Sequence, residues 1–367
     1  MRAEGRDVIS FGAGEPDFPT PHHIVEAARR AAGDEANHHY STNAGLPLLR
    51  EAVVGYTEEF SGASYEPGQV LVANGAKQAI FQAFAALIDP GDEVLLPTPH
   101  WVTYPSGVEL AGGTPISVPT DMESGFKVDV DQLEAHHTNH TKVLVFVSPS
   151  NPTGSVYTAD EAVAIGEWAA EKGVWVIADE IYQRLVYGEE TVAPSISATA
   201  GLDDLLIVNG VAKSFAMTGW RVGWMLGPQD VIDAAARHQS HATGNVNNIA
   251  QMAAVEAISG PQDTVIEMRE AFDKRRQQMV AMLQAAPGVD CHEPHGAFYV
   301  FPRVEALLGE SVPTSVALAE LLIEEAGVAV VPGESFGSPG YLRLSYALSD
   351  DDLERGVSRM LAMFERL

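Results

Sequence analysis

Residues 205 to 226 read LLIVNGVAKSFAMTGWRVGWML. Leu205 to Val208 is a continuous apolar run of strand length, and Val222 to Leu226 is another. The loop between them carries Gly210, Lys213 and, eight residues after the lysine, Arg221. A buried lysine amine loses its proton at modest cost and attacks a carbonyl to form a Schiff base. A guanidinium nearby grips a phosphate with two parallel hydrogen bonds. The loop therefore suits a ligand with both an aldehyde and a phosphate. A solvated loop with two ordinary cations accounts for the same residues.

Two further strand ends carry polar groups. Ser148 to Gly154 (SPSNPTG) follows the apolar run Val143 to Val147, and Ala178 to Tyr182 (ADEIY) follows Val174 to Ile177. Ligands of open α/β sheets bind just past the carboxyl ends of parallel strands. An aldehyde with a phosphate describes pyridoxal 5′-phosphate (PLP). The ordered set Asn-Pro-Thr-Gly, Asp-Glu-Ile-Tyr, then lysine with arginine eight residues on, closely resembles the class I aminotransferases of PLP fold type I. Within them the bacterial aspartate aminotransferase branch is the nearest match. It is carried by Phe11 to Pro19 (FGAGEPDFP), Gly75 to Gln78 (GAKQ), Met217 to Arg221 (MTGWR) and Val331 to Tyr346 (VPGESFGSPGYLRLSY). The resemblance extends from Gly12 to the last helix.

The fold it implies is α/β: a large PLP-binding domain at 35–260 with a mostly parallel seven-stranded sheet flanked by helices. A smaller, discontinuous α+β domain follows from 1–34 and 261–367. The residue pattern agrees. Gln69 to Ala73 and Glu93 to Leu96 read as strands around a helical stretch from Ala79 to Ile88, and Ala162, Ile165 and Trp168 have helical spacing. Such alternation points to a parallel sheet covered on both faces. From about Pro261 long charged helices (Val265 to Leu283, Val316 to Ala326) bracket short strands at Ala297 to Phe301 and Tyr341 to Ser345.

Gly75-Ala76-Lys77 lies where a strand turns into a helix, and helix-start N–H groups cradle anions. A plain strand-to-helix turn is the alternative. Beside Arg221 this segment is assigned to the cofactor phosphate; it is no Gly-x-Gly-x-x-Gly dinucleotide fingerprint. The resemblance implies that Asp179 pairs with the pyridine nitrogen, that Tyr182 and Asn151 reach the ring's phenolic oxygen, and that Trp101 stacks on the ring. It also implies that Tyr40 serves the phosphate of the neighbouring subunit in a homodimer with shared sites. Strand alternation puts Arg343 opposite Leu342 and Leu344, and its fork suits a substrate α-carboxylate. The resemblance further implies that Gly14 brings backbone near the substrate and that Lys77 reaches the distal carboxylate of an acidic one.

There are departures from the pattern. Ala212 and Gly210 stand where relatives carry serines, leaving Ser214 as a substitute phosphate partner. His100 stands where tyrosine is common. Relatives usually carry an N-terminal arm and helix ahead of this segment, whereas ten residues precede Phe11 here; either the true start lies upstream or the arm is lacking, so contacts borne by such an arm are not counted.

The chain has 367 residues, 46% of them hydrophobic, enough for about two domains. Its net charge of −28 argues against nucleic acid and anionic membranes. The same charge opposes anionic ligands, so Lys77, Lys213, Arg221 and Arg343 must gather locally. No apolar run reaches the ~20 residues of a membrane span, and Met1 to Ser10 lacks the apolar core of a signal peptide. One cysteine, Cys291, excludes an internal disulfide and fits the cytoplasm. His136, His137 and His140 read as a polar helix end and loop, and no metal is expected.

Together these features predict a PLP-dependent aminotransferase that passes the amino group of L-aspartate to 2-oxoglutarate. The catalytic residues would be Lys213, as Schiff base and proton carrier, Asp179 and Tyr182. The alternatives are aromatic, methionine-like or prephenate substrates, a PLP lyase, and a non-catalytic effector domain.

Overall fold

The predicted alternation of strands and helices resolves into one large sheet. The computed structural model describes residues 5–367; residues 1–4, counted with the smaller domain above, lie outside the described residues. After a short β1 (Ile9–Ser10) come β2 (Val70–Ala73), β3 (Glu93–Thr98), β4 (Thr114–Pro119), β5 (Thr141–Val147), β6 (Trp175–Asp179), β7 (Leu205–Gly210) and β8 (Gly223–Leu226). The last seven form a single sheet in the order β2-β8-β7-β6-β5-β3-β4. All neighbours are parallel except β8, which runs antiparallel to β2 and β7. Strand β4 has no counterpart in the predicted strands, because Pro115 and Pro119 mask it. Among the described residues it pairs only with β3, and an edge is where a strand tolerates proline.

Helices α1 (His22–Ala32), α2 (Pro47–Ser61), α3 (Ala76–Leu87), α4 (Thr103–Ala111), α5 (Val130–His136), α6 (Ala159–Lys172), α7 (Gln229–Ala242) and α8 (Asn248–Ser259) surround it. The period-2 alternation of a strand divides β7 between two cores. Leu205 and Ile207 pack with Leu49 and Val53 of α2, Ile165 of α6 and Ala254 of α8. Leu206 and Val208 pack with Phe84 of α3, Val108 of α4 and Ile232 of α7. With both faces buried, the central strands are apolar throughout rather than alternating.

The second half holds α9 (Asp263–Gln284), β9 (Tyr299–Val300), α10 (Ser315–Leu321), β10 (Val328–Ala329), β11 (Val331–Pro332), β12 (Leu342–Ser345) and α11 (Asp350–Phe364). Strands β11, β12 and β9 form an antiparallel sheet, and β1 pairs in parallel with β10. Phe11, Phe272, Phe298, Leu342, Leu344 and Met360 share one core. Strand β1 and Phe11 thus join this unit, whereas α1 lends Ile24 and Ala28 to the α2/α6/α8 core of the large sheet. Among the described residues no helix is long and apolar enough to cross a membrane.

Candidate active site

The carboxyl ends of β5, β6 and β7 open on one cavity of about 550 Å³. Gly14, Ala76, Lys77, Trp101, Asn151, Asp179, Tyr182, Lys213, Arg221 and Arg343 all line it. Residues scattered over more than three hundred positions meet here, as parallel-sheet topology dictates. Four cations share the wall in a chain with 22 Lys and Arg against 50 Asp and Glu. Local density offsets the global field.

Lys213 follows β7, and its Nζ donates a short hydrogen bond to the carbonyl of Gly14. Burial pushes its ammonium down to about 8; Arg221 and Arg343 add to the effect, while Glu15 and Asp179 oppose it. A neutral, nucleophilic amine is thereby within reach of physiological pH.

Asp179 ends β6 and is 4% exposed. Its Oδ2 accepts from the Tyr104 hydroxyl at 2.8 Å and its Oδ1 from the Ile181 N–H at 3.2 Å. Burial pushes its carboxyl above the usual range, and those hydrogen bonds and Lys213 pull against it. Tyr182 sits in the turn that follows, its hydroxyl 2.9 Å from that of Tyr299.

Arg343 is buried on β12. Its Nη1 donates to Asn151 Oδ1 at 3.0 Å and its Nη2 to the Gly12 carbonyl at 2.9 Å. The guanidinium lies 4.6 Å from the Tyr299 ring centre, and its buried Nε has no partner among the described residues. A carboxylate is the natural complement to such a group.

Arg221 is exposed and left-handed (φ 57) at the end of the 218–220 turn. Its Nη1 donates to the Thr218 carbonyl and its Nη2 to that of Asn74. Gly75 caps α3 with φ 84, and a Cβ there would come within 2.5 Å of Arg221 Nη2. Glycine is thus required for the guanidinium to lie against the helix start, whose first N–H groups have no intrahelical acceptor. Lys77 extends its Nζ to 4.8 Å from the Trp101 ring centre, and Trp101 meets Tyr104 edge-on at 5.5 Å.

Tyr40 is not in this cavity; it stands on the surface, 98% exposed. Ala212 rather than Ser214 lines the wall, and Ser214 is buried. His100 is buried enough that its imidazole is pushed below the usual range, and its backbone N–H donates to the Phe336 carbonyl at 3.2 Å.

Sequence reasoning missed Glu15, Tyr104, Thr218, Tyr299 and Phe336, which also line the cavity. Glu15 lies inside the quoted FGAGEPDFP segment, and its Oε2 accepts from Thr218 Oγ1 at 2.8 Å. Tyr104 lies three residues past Trp101 but carries only an ordinary helical signal. The wall offers an anion cradle, a buried carboxylate and an amine of lowered proton affinity. A ligand with an anionic head, a cationic ring atom and a carbonyl matches all three.

The family model of class I and II aminotransferases matches residues 6–360. The chain is 56% identical to the aspartate aminotransferase of Streptomyces avermitilis, with 98% of this chain and 90% of that one covered. It is 44% identical to the aspartate/prephenate aminotransferase of Cereibacter sphaeroides, covering 99% and 92%. The crystal structure of the aspartate aminotransferase from Rhizobium meliloti matches it with a TM-score of 0.96 at 39% identity, covering 100% and 94%.

Proposed function

This chain belongs to the class I and II aminotransferases, and on that footing we propose that it moves the amino group of L-aspartate to 2-oxoglutarate. The observation that carries the proposal is the convergence of Lys213, Asp179, Asn151, Tyr182, Arg221 and Arg343 on one cavity. The enzyme depends on PLP, which when bound supplies an aldehyde to capture the substrate amine and a ring to accept electrons from Cα.

Arg221 and the N–H groups at Ala76 and Lys77 would hold the phosphate, with Gly75, whose own N–H donates to the Ala73 carbonyl at 2.7 Å, making the turn that presents them. Asp179 would keep the ring nitrogen protonated, Asn151 and Tyr182 would hold the phenolic oxygen, and Trp101 would cover the ring. Arg343 binds the substrate α-carboxylate, with Gly14 backbone beside it. Lys213 Nζ then removes the Cα proton and later returns it, as general base and acid. Two half-reactions in one site give ping-pong kinetics. Lys77 selects the distal carboxylate. Its ammonium rests over Trp101 on a flexible stem, so it can swing aside for a neutral side chain. That mobility, with the aspartate/prephenate relative, supports prephenate or aromatic compounds as secondary substrates.

The proposal includes a cytoplasmic homodimer in which exposed Tyr40 reaches the neighbouring subunit's phosphate. It keeps the division into 35–260 and 1–34 with 261–367, except that the packing of α1 on the large core supports moving that helix to the large domain. Incubating the purified holoenzyme with 2-oxoglutarate and single amino donors tests the substrate. Aspartate is expected to give the highest kcat/KM, and a higher value for phenylalanine would overturn the assignment.

A further inference from the structure

The chemistry above uses Asp179 and leaves its neighbour Glu180 without a task. Glu180 follows the last residue of β6, and its N–H continues the ladder to the Val208 carbonyl at 2.8 Å. Successive strand residues point to opposite faces. Asp179 therefore lines the cavity, while the Glu180 side chain lies behind it, buried against the end of α2 and the loop at Ser195. Ser61 Oγ donates to Glu180 Oε2 at 2.7 Å, and Ser195 Oγ makes a short hydrogen bond to Oε1. Among the described residues its partners are hydroxyls rather than a cation.

The surrounding hydrogen bonds accommodate Glu180 with or without a proton. Gln183 Nε2 donates to Ser61 Oγ at 2.7 Å. Ser195 Oγ and Ser197 Oγ lie 2.8 Å apart, and Ser197 Oγ donates to the Ser61 carbonyl at 2.8 Å. When Glu180 is ionised, Ser61 and Ser195 both donate to it. When Oε1 carries a proton, that O–H donates to Ser195, Ser195 turns its own proton to Ser197, and Ser197 keeps its carbonyl. Every hydroxyl proton has an acceptor in both states, so only hydroxyl rotations separate them.

The titratable groups facing Glu180 are Tyr56 of α2, Tyr65 beyond that helix and Asp179 of β6. Burial pushes both tyrosines up to about 12, so they stay neutral. Arg184, on the following turn, lies 4.1 Å from the Phe60 ring centre and donates to Gln262. Burial pushes the Glu180 carboxyl up to about 7, against its two serine donors, and Asp179 adds to the rise.

We propose that Glu180 is a positioning residue that stores a proton behind the sheet and, on releasing it, raises the proton affinity of the wall formed by Asp179 and Lys213. The inference rests on the assignment of Asp179 to the ring nitrogen. It gives the site a second ionisation that touches neither substrate nor cofactor.

Infrared spectra of the cofactor-free protein across pH test the stored proton. A protonated-carboxyl band should fade near neutrality in the wild type and be missing in Glu180→Gln. Ser195→Ala should move the fading to higher pH, because the ionised form loses a donor. The coupling is read from the pH midpoint of the cofactor absorbance change in the PLP-loaded protein. Removing the negative charge should lower that midpoint by roughly half a pH unit or more. The same neutral-pH band in Glu180→Gln, or an unshifted midpoint, overturns the proposal. Failure of the wild type to bind PLP would instead overturn the aminotransferase assignment and leave the infrared result standing.

Discussion

Tyr104, near the start of α4, donates a 2.8 Å hydrogen bond to Oδ2 of Asp179 at the end of β6. Among the forces that hold the Asp179 carboxyl down against burial, this bond is the largest. Without it the carboxyl would retain its proton more readily, and a cationic ring nitrogen beside it would lose its counter-charge. A hydrogen bond to a charged group is worth ~1.5–3 kcal/mol. Tyr104→Phe should therefore lower kcat about tenfold or more with little change in KM; steady-state kinetics with aspartate would check it.

Lys213 should carry the cofactor. Borohydride treatment of the wild type should leave a stable adduct on the peptide containing Lys213, read by mass spectrometry, and Lys213→Ala should lose nearly all activity. Labelling at Lys77 or another lysine would overturn the assignment.

The same lysine should cost the cofactor-free protein stability. Burial lowers its folded-state affinity for the proton from the ordinary lysine value of 10.5 to about 8. Below pH 8 the fold must hold a charged, desolvated ammonium; the penalty disappears as pH rises from about 8 to about 10.5. Cofactor-free Lys213→Met should be more stable than wild type at neutral pH, on the order of 1–3 kcal/mol. Urea unfolding should show the gap narrowing at high pH.

Lys77→Ala should separate specificity from scaffolding. Loss of a charge-assisted contact predicts a drop of about ten- to a hundredfold in kcat/KM for aspartate. Phenylalanine should be far less affected. Equal losses would mean that Lys77 serves the cofactor or the packing of Trp101.

Tyr40, 98% exposed in one chain, should act across the dimer. In Tyr40→Phe/Lys213→Ala hybrids one site takes both lesions and the other takes none. Mixing equal amounts should restore roughly a quarter of wild-type activity. Hybrids no more active than the parent variants would argue against shared sites.

Glu180 also makes a prediction for stability. The folded state holds its proton to about 7, against the ordinary glutamate value of 4.5. Between those values the folded chain binds the extra proton, so stability falls as pH rises through this window and levels off above it. The fall attributable to Glu180 is on the order of 3 kcal/mol and should be missing in Glu180→Gln. Unfolding midpoints of the two proteins that change in parallel from about pH 5 to about pH 8 would contradict it.

Local sequence determined the scaffold. Leu205 to Val208 and Val143 to Val147 are apolar throughout because both faces of their strands are covered, and that property is visible without a fold. The motifs at Asn151, Asp179 and Lys213 were legible because each sits directly after such a run, where parallel topology places ligand-binding groups. Strand β4 was not legible, since proline lowers strand propensity and only an edge position makes it tolerable.

Tertiary structure decided which side chains meet. The hydroxyl of Tyr104 acquires a role only because α4 sets it beneath β6, and Tyr299 only because β9 brings it to Tyr182. Glu180 shares a motif with Asp179, yet the pleat sends the two carboxyls to opposite faces, one to the cavity and one to a ring of serines. Burial is a property of the folded surroundings rather than of the residue. The lowered proton affinity of Lys213 and the raised one of Glu180 therefore arise only once the chain has removed both from water.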